Sequence, residues 1–516
     1  MLYLMECKIM TSKTLMEIIK LGSDNDVAIG TIGRTPMQYS ELRTLMENTV
    51  LALRRLGIYR NQRVAIVLPN GPEMASAFIS VAAGATAAPL NPAYREEEFS
   101  FYLKDLNAKA LLVDSGSKSP SIKVAKDLNI PVYKIDFDQT GPAGNFSIPI
   151  LESLESVIAD SIDYAEPEDV GLVLHTSGTT SRPKIVPLSQ KNICTSACNI
   201  AEVLGLTSED RGLNIMPLFH IHGLIAAVLS SLSAGSSIYC SPGFNALKVY
   251  GWFKEVAPTW YTAVPTMHQA ILLRANRNSD IIEQMHLRFI RSSSSSLPPQ
   301  VMAELETVFV CPVIESYGMT EAAHQMASNP LPPAERKPGS VGVAAGPEVA
   351  IMGADNNLLS SGKTGEIVIR GDNVTLGYEN NPIANSEAFT NGWFRTGDQG
   401  VMDEAGYLQI TGRLKEIINR GGEKISPREV DEVILDHRAV DQVVTFAYPH
   451  EKLGEEVGVA IVIKEGFEIS EKEVREFAKK RLADFKVPRK VIFIDEIPKG
   501  ATGKLQRIGL HEKLGV

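Results

Sequence analysis

The sequence predicts an α/β protein with a large N-terminal domain of mainly parallel β-sheets flanked by helices, a small β-rich subdomain and a small α+β C-terminal domain. Apolar runs alternate with helical segments as far as residue 325, a pattern typical of parallel sheets that are covered on both faces. Between Gly339 and Tyr407, glycines and short alternating segments indicate the β-rich subdomain. At 516 residues the chain is too long for a single hydrophobic core.

The N-terminal domain begins with helical periodicity over residues 12–60. Apolar runs then predict buried strands, and small residues predict a helix over residues 75–83. The predicted strands lie at residues 63–68, 88–90, 110–113, 130–135, 170–174 and 185–188. Residues 120–165 are rich in Pro, Ser and Asp, and we interpret them as an exposed connection.

The C-terminal segment becomes strongly charged near Gly412 and has the usual length of a domain. Periodicity predicts a helix around residues 429–434, a strand over 457–463 and a helix over 470–483. We place the boundary at about residue 413. This gives an N-terminal domain over residues 1–412 and a C-terminal domain over residues 413–516.

Charge and cysteine content exclude several classes of protein. The net charge of −10 argues against a nucleic-acid binder, which needs Lys and Arg to neutralise phosphates. The five cysteines are scattered and odd in number, as in a reduced intracellular enzyme. The sequence contains no run of 18 consecutive apolar residues, so it predicts no membrane span. The chain ends without a peroxisomal Ser-Lys-Leu signal, so the cytoplasm is the expected location. Met10 is an alternative start to Met1, and the oligomeric state stays open.

The most informative stretch is His-Thr-Ser-Gly-Thr-Thr-Ser-Arg-Pro-Lys at residues 175–184, between two predicted strands. Its hydroxyls, glycine and cations suit a polyphosphate, because small residues let backbone N–H groups approach the oxygens while Lys184 supplies charge. It lacks the Gly-x-x-x-x-Gly-Lys-Ser/Thr pattern and is not a Walker-type loop. By itself it is equally typical of a polar surface hairpin.

Three further clusters have chemical content. Residues 315–321 follow a predicted strand at 310–314, where open α/β sheets bind ligands, and a carboxylate there suits Mg²⁺. Asp398 lies in a glycine-bounded turn, where its carboxylate can accept hydrogen bonds from both hydroxyls of a ribose. Lys504 lies beside flexible glycines in the tail and can reach an anion. Each cluster alone is more simply explained as a surface or turn feature.

Together, and in this order, these stretches resemble the acyl-adenylate-forming (AMP-binding) superfamily of acyl-CoA synthetases, luciferases and peptide-synthetase adenylation domains. The resemblance covers about residues 20 to 510 and rests on residues 176–184, 317–321, 396–398, 412–413 and 498–504. It implies that ATP activates a carboxylic acid and that coenzyme A then takes up the acyl group. It also implies Mg²⁺ and a C-terminal domain that acts as a mobile lid with its hinge at Lys415. The family loop commonly has Gly where this chain has Ser181 and Ile185, which is expected to reduce the flexibility of the loop.

The resemblance also implies roles for individual residues. Glu321 is expected to hold Mg²⁺, Thr320 to contact the α-phosphate, and Lys504 to bridge the acid and the α-phosphate; these are the predicted catalytic residues. The other residues expected to bind ATP or AMP are Thr176, Ser177, Gly178, Thr179, Thr180, Lys184, Ser295, Ser296, Glu315, Tyr317, Gly318, Asp398 and Arg413.

A glycine-containing segment just past the hinge is expected to bind coenzyme A, because glycines let a narrow ligand arm approach. The residues expected to do so are Arg420, Gly421, Gly422 and Lys424. The alternative is an ordinary glycine turn before a helix that Ser426 caps and Pro427 begins.

Polar side chains predict the kind of acid. His220, Ser294 and His324 fall where the family lines its acid pocket, and a fatty or aromatic acid would instead need an apolar slot. Buried donors without partners cost about 1–3 kcal/mol each. Residues 260–266 and 288–292 resemble those of oxalate–CoA ligases, so we expect oxalate, with these three residues meeting its distal carboxylate.

Two alternatives stay open. The first is a CoA ligase for a medium-chain fatty acid or a 4-coumarate-type aromatic acid, which a deep apolar pocket beyond His220 would favour. The second is a catalytically silent binding protein on the same scaffold. The presence of Lys504, Glu321 and Asp398 argues against the second alternative.

Overall fold

The computed structural model describes residues 12–137, 140–149, 162–176, 183–498 and 507–516. The chain divides into two compact units. The first comprises the described residues up to Val349 together with Ile369–Phe394, and the second comprises Ala350–Val368 and the described part of Arg395–Val516. The domain boundary at residue 413 and the hinge at Lys415 stay predictions. No helix in the described ranges is long and apolar enough to cross a membrane.

The first unit contains a seven-stranded sheet with a parallel centre and one antiparallel strand at each edge. In sheet order its strands are Phe146–Ser147, Val132–Phe137, Ala110–Asp114, Arg63–Val67, Thr86–Pro89, Val170–Thr176 and Lys184–Ser189. The central strands are buried apolar runs, which is why the sequence predicts them to within a few residues. The helix Pro72–Ala82, made of small residues, is buried along its whole length.

A nine-stranded sheet forms the rest of the first unit, and it positions most of the predicted site residues. In sheet order its strands are Val343–Ala344, His324–Ser328, Val313–Met319, Phe289–Ser292, Trp260–Ala263, Arg211–Asn214, Ser237–Cys240, Val27–Gly30 and Met37–Gln38. The six strands from Val313–Met319 to Val27–Gly30 are parallel to their neighbours. His324–Ser328 folds back antiparallel on Val313–Met319.

Helices pack on both sheets. Those of the first unit are Leu15–Ile19, Tyr39–Arg55, Pro72–Ala82, Glu96–Asp105, Pro120–Asp127, Gln190–Val203, Ser230–Ser233, Val249–Val256, Pro265–Leu272, Ser279–Ile282, Pro299–Phe309 and Pro382–Ala388, with short 3₁₀ turns at Ala275–Arg277 and Thr320–Ala322. The segment His222–Leu229 is a π-helix, in which each turn holds an extra residue. Cys194 and Cys198 lie buried on the helix Gln190–Val203, as small core residues.

Two regions differ from the sequence-based expectation. The helical pattern over residues 12–60 is interrupted, because Val27–Gly30 and Met37–Gln38 form a hairpin and the long helix begins only at Tyr39. Residues 120–165 are not simply a connection: a helix runs over Pro120–Asp127, where Ser119 caps it and Pro120 opens it.

The remaining strands belong mainly to the second unit and form two five-stranded sheets. The strands of one are Glu348–Met352, Thr364–Arg370, Phe389–Thr390, Trp393–Met402 and Leu408–Arg413, in agreement with the predicted β-rich subdomain. The strands of the other are Ile418–Arg420, Glu423–Ile425, Val440–His450, Gly454–Ile463 and Lys490–Phe493. The helices that pack on it are Pro427–Leu435, Glu471–Lys479 and Leu510–Lys513, with a 3₁₀ turn at Asp484–Lys486.

Candidate active site

The predicted phosphate loop closes a β-hairpin at the edge of the seven-stranded sheet. Thr176 ends one strand and Lys184 begins the next, and the two residues face each other in the antiparallel register. Ser177, Gly178, Thr179 and Thr180 lie outside the described residues, so their phosphate contacts stay predictions.

His175 anchors the first strand of this hairpin. Its Nε2 lies 2.9 Å from Asp105 Oδ2, and its ring packs edge-on against Tyr102. Burial lowers the pKa of His175 below its usual 6.5, although Asp105 acts in the opposite direction. The base of the loop is therefore fixed to the helix Glu96–Asp105.

Tyr378 contacts both Glu321, the predicted Mg²⁺ ligand, and Lys184, the lysine predicted to bind phosphate. Glu321 is buried, and its Oε1 accepts a hydrogen bond of 2.8 Å from the Tyr378 hydroxyl. Lys184 Nζ lies over the face of the same ring, 4.2 Å from its centre, which is a cation–π contact. Tyr378 was not among the residues that the sequence singled out, and here it holds both side chains.

The residues predicted to flank the nucleotide lie on a strand, not after one. The strand extends over Val313–Met319, so Glu315, Tyr317 and Gly318 are strand residues, and Thr320 opens the 3₁₀ turn that follows. The pairing with His324–Ser328 extends the strand beyond the predicted end at residue 314, and a bulge between Tyr317 and Gly318 bends it.

Gly318 is a position that only glycine can occupy. A Cβ added there would lie 1.7 Å from the His324 carbonyl oxygen. Glu315 is 1% exposed, and its Oε1 accepts a hydrogen bond of 2.9 Å from the Leu297 backbone N–H. In this structure the Glu315 carboxylate thus holds the end of the serine run in place.

The serine run leaves the end of the strand Phe289–Ser292. Ser295 is exposed and Ser296 is half-buried, and their predicted contact with ATP or AMP stays a prediction. Ser294 has a φ of +69°, a left-handed conformation that residues other than glycine and asparagine rarely adopt. His324 has a φ of +98°. Such backbone strain concentrates at functional sites.

The three predicted acid-binding residues surround His222, the first residue of the π-helix. His222 Nδ1 lies 3.0 Å from Ser294 Oγ, and the ring centres of His222 and His324 are 5.0 Å apart. The His222 backbone N–H donates to His220 Nδ1 at 3.2 Å. Burial, with smaller contributions from His324, Arg291 and His220, lowers the pKa of His222 well below 6.5, so its imidazole is neutral at pH 7. The structure therefore brings His220, Ser294 and His324 to one place.

Two of the predicted site residues pair in the second unit. Asp398 and Arg413 lie opposite each other in neighbouring strands, and Arg413 Nε donates to Asp398 Oδ1 at 3.0 Å. Asp398 is 7% exposed, and this pairing positions its carboxylate. Their role in ribose binding stays a prediction.

The predicted coenzyme A segment is a tight hairpin. Gly421 and Gly422 form its turn, with φ values of +59° and +99°, between Ile418–Arg420 and Glu423–Ile425. Arg420 Nε donates to Glu456 Oε1 at 2.6 Å, while Lys424 is exposed. The alternative account of a turn before a helix is also correct locally, since Ser426 caps Pro427–Leu435. The coenzyme A contacts stay predictions.

The exposed Lys415, the predicted hinge, is followed by a half-buried ionic cluster. Arg507 lies 3.3 Å from Glu416 and 2.6 Å from Asp431. Burial raises the pKa of Asp431, although Arg507 lowers it. Lys504, the predicted catalytic lysine, lies outside the described residues, and its role stays a prediction.

The side chains of the described residues fit a Mg²⁺ ion that receives most of its ligands from the phosphates of a nucleotide. Within the described ranges, no group of three or more His, Cys, Asp and Glu side chains could hold a metal ion. Mg²⁺ is typically bound through one or two carboxylates and the phosphates of its nucleotide, and Glu321 can supply such a carboxylate.

Comparison with known proteins identifies the family. A family model described as AMP-binding enzyme matches residues 23–379, and one described as AMP-binding enzyme C-terminal domain matches residues 429–504. The chain belongs to the AMP-binding enzyme family.

Relatives and solved structures agree with this membership. This AMP-binding enzyme is 44% identical to an oxalate–CoA ligase of Arabidopsis thaliana, over 93% of this chain and 94% of the relative. It is also 44% identical to an oxalate–CoA ligase of Saccharomyces cerevisiae, over 87% of this chain and 86% of the relative. ATP-bound MatB from Rhodopseudomonas palustris matches with a TM-score of 0.87 at 28% identity, over 98% of this chain and 99% of MatB. The predicted family and α/β fold class are confirmed.

Sequence reasoning missed several residues of this AMP-binding enzyme that the structure brings to the site. Tyr378 carried no signal, because a tyrosine after a glycine in a loop has no distinctive pattern. Arg291 did carry one: it interrupts the apolar face of a buried strand, where a charged residue needs an explanation. His222 lies two residues after His220 in the sequence, but the pattern did not assign it to the acid.

Proposed function

We propose that this chain is an AMP-forming acid–CoA ligase that converts oxalate, ATP and coenzyme A to oxalyl-CoA, AMP and diphosphate. The observation that carries the choice of acid is the polar cluster at His222, where Ser294, His220 and His324 gather in the first unit. A second carboxylate accepts hydrogen bonds from such groups, whereas an alkyl chain or an aromatic ring has no comparable acceptor. The identity with oxalate–CoA ligases supports the same choice.

The first half-reaction joins two anions, the acid's carboxylate and the α-phosphate of ATP. Their repulsion must be offset before the atoms can be positioned, and fixed charges in the site are the usual means. Mg²⁺, when bound, supplies charge neutralisation on the phosphates. In this proposal Glu321 holds the metal, Tyr378 orients Glu321, and Lys184 and the hydroxyls of the loop bind the phosphates.

The second half-reaction transfers the acyl group from AMP to the thiol of coenzyme A. In this proposal Lys504 serves only the first half-reaction, and the segment at Arg420–Lys424 receives coenzyme A after the C-terminal domain turns about Lys415. We place the enzyme in the cytoplasm. Four described cysteines are buried and free, as expected of a reduced compartment.

The test is acid-dependent AMP release in the presence of ATP, Mg²⁺ and coenzyme A. Oxalate, malonate, octanoate and 4-coumarate are compared at equal concentration, and the thioester is identified by mass. We expect oxalate to give the highest kcat/KM. A higher value for octanoate or coumarate would replace oxalate by the corresponding alternative, and no AMP release with any acid would indicate a silent binding protein.

A further inference from the structure

A guanidinium group lies beneath the predicted acid-binding residues. Arg291 is on the strand Phe289–Ser292, and its side chain is fully buried. No Asp or Glu in the described ranges forms an ion pair with it. Burial lowers the pKa of Arg291 to about 9, so the group is still charged at pH 7. Burying a cation without a counter-charge is strongly unfavourable, and a structure that retains one needs a compensating anion.

The hydrogen bonds of Arg291 lead to the acid-binding residues. Arg291 Nη1 lies 3.4 Å from both Thr262 Oγ1 and His222 Nε2. Thr262 Oγ1 in turn lies 2.6 Å from His222 Nε2, and His222 Nδ1 lies 3.0 Å from Ser294 Oγ. These groups form a continuous chain from the guanidinium to Ser294.

The direction of this chain is fixed at its buried end. A guanidinium has donors only, and Arg291 Nη1 faces both Thr262 Oγ1 and His222 Nε2, so both atoms act as acceptors toward it. Because His222 Nε2 is an acceptor, the Thr262 hydroxyl gives its own hydrogen to that nitrogen. The neutral imidazole then carries its hydrogen on Nδ1, which donates to Ser294 Oγ. The hydroxyl hydrogen of Ser294 is thus directed to a further acceptor.

The same cluster contains more donors than acceptors. Arg291 Nη2 donates to Gln325 Oε1 at 3.1 Å. Arg291 Nε and Gln325 Nε2 are both buried and have no hydrogen-bond partner in the described part of the chain. A surplus of buried donors with a net positive charge complements a carboxylate, which only accepts hydrogen bonds when ionised.

We propose that Arg291 determines the specificity of the acid site for dicarboxylates: its charge balances the second carboxylate, and through Thr262 and His222 it makes Ser294 a hydrogen-bond donor. Arg291 is a positioning residue, since it acts through Ser294. This proposal rests on the proposed function and adds the group that selects the substrate.

The test compares oxalate with oxamate, in which an amide replaces the second carboxylate at nearly the same size. We measure kcat and KM for oxalate and the inhibition constant of oxamate against oxalate. Arg291→Met should raise KM for oxalate about 100-fold with a smaller change in kcat, and should change oxamate inhibition less than about threefold. Arg291→Lys, which offers three donors where arginine offers five and loses its charge more readily on burial, should recover only part of the loss.

Two further variants separate this role from a general loss of structure. Thr262→Val keeps the charge of Arg291 but cuts the chain of hydrogen bonds, and should raise KM for oxalate about tenfold. It also tests the proposal if Arg291→Met does not fold. Arg54→Met is the matched control, because Arg54 is another buried cation, 5% exposed, that donates to the carbonyls of Ile58 and Gly84. Arg54→Met should lower the thermal stability of the protein. It should leave the ratio of the KM for oxalate to the inhibition constant of oxamate unchanged.

Two results are decisive in different ways. In the first, the wild type uses oxalate, but Thr262→Val and any folded Arg291→Met have the same ratio of the KM for oxalate to the inhibition constant of oxamate as the wild type. The role of Arg291 is then overturned and the proposed function stands. If the wild type releases no AMP with oxalate, the proposed function itself fails, and the role of Arg291 fails with it.

Discussion

Tyr378 contacts two residues that have different predicted functions in the nucleotide site. Its hydroxyl hydrogen-bonds Glu321, and its ring face contacts Lys184, so one buried side chain fixes the predicted metal ligand and the predicted phosphate cation. The two contacts use different parts of the side chain. A substitution can therefore remove one and keep the other.

Replacing Tyr378 by Phe removes the hydroxyl and keeps the ring under Lys184. A hydrogen bond to a charged group contributes about 1.5–3 kcal/mol, so Tyr378→Phe should raise the Mg²⁺ concentration for half-maximal ATP binding by about tenfold or more. Calorimetric titration without acid measures this apart from turnover. Tyr250→Phe is the control, since Tyr250 is a buried tyrosine that donates to the Ile271 carbonyl. An unchanged Mg²⁺ requirement in Tyr378→Phe would contradict the role.

His268 is expected to make stability depend on pH. It is fully buried, with Nδ1 3.2 Å from the Tyr261 hydroxyl, and burial lowers its pKa from 6.5 to about 3. The neutral form is therefore favoured in the folded state. As pH falls below 6.5, the unfolded chain takes up a proton that the folded chain does not, and stability is lost.

His268→Gln should reduce this dependence. Between pH 6.5 and 5, the free energy of unfolding of His268→Gln should depend less steeply on pH than that of the wild type. The difference in slope should correspond to up to about one fewer proton taken up on unfolding. Urea denaturation at several pH values measures the slope. The exposed-surface variant Lys254→Gln provides the control, and an identical slope in His268→Gln and the wild type would contradict the prediction.

At the scale of elements, close approach between segments of the backbone determines local geometry that the sequence pattern does not predict. The strand Val313–Met319 continues past its predicted end because His324–Ser328 pairs with it, and this pairing leaves no space for a side chain at Gly318. The π-helix His222–Leu229 depends on a similar contact: a Cβ at Gly223 would lie 2.4 Å from the Pro217 carbonyl oxygen.

Gly318→Ala should destabilise the first unit by about 3 kcal/mol or more, because the added methyl group would overlap backbone atoms of His324. ATP affinity should fall as well, since the strand carries Tyr317. Gly251→Ala is the matched control: Gly251 lies in the helix Val249–Val256 with open space around it, so alanine should stabilise the helix by about 0.5–1 kcal/mol. Denaturant unfolding measures both, and equal effects would show that the contact at Gly318 does not matter.

At the scale of the whole molecule, the two half-reactions need different groups. Lys504 is predicted to neutralise charge only while the acid attacks the α-phosphate. Lys504→Ala should therefore lose adenylation by roughly 10²–10³-fold, as when other pre-placed electrostatic groups are removed, while thioester formation from supplied oxalyl-adenylate survives.

Isotope exchange between diphosphate and ATP measures the first step, and release of AMP from the adenylate with coenzyme A measures the second. Lys499→Ala, in the same tail, serves as the control and should leave both steps near the wild-type rate. Equal losses in the two steps for Lys504→Ala would contradict the assigned role.

The sequence alone determined the fold class and the positions of most central strands, because buried parallel strands are short apolar runs whose period is local. It also determined the family, since the phosphate-loop residues and the later clusters are short contiguous motifs. It did not predict the hairpin at residues 27–38, because Val27–Gly30 is stabilised by pairing with Ser237–Cys240, far away in the chain.

Only the tertiary structure decided which side chains meet. Arg291, Thr262 and His222 are far apart in the sequence, yet neighbouring parallel strands and the π-helix bring them into one buried cluster. Tyr378 reaches Glu321 in the same way. The physical reason is that a hydrogen-bonded network depends on distances of about 3 Å between groups from separate elements, and local periodicity does not encode such distances.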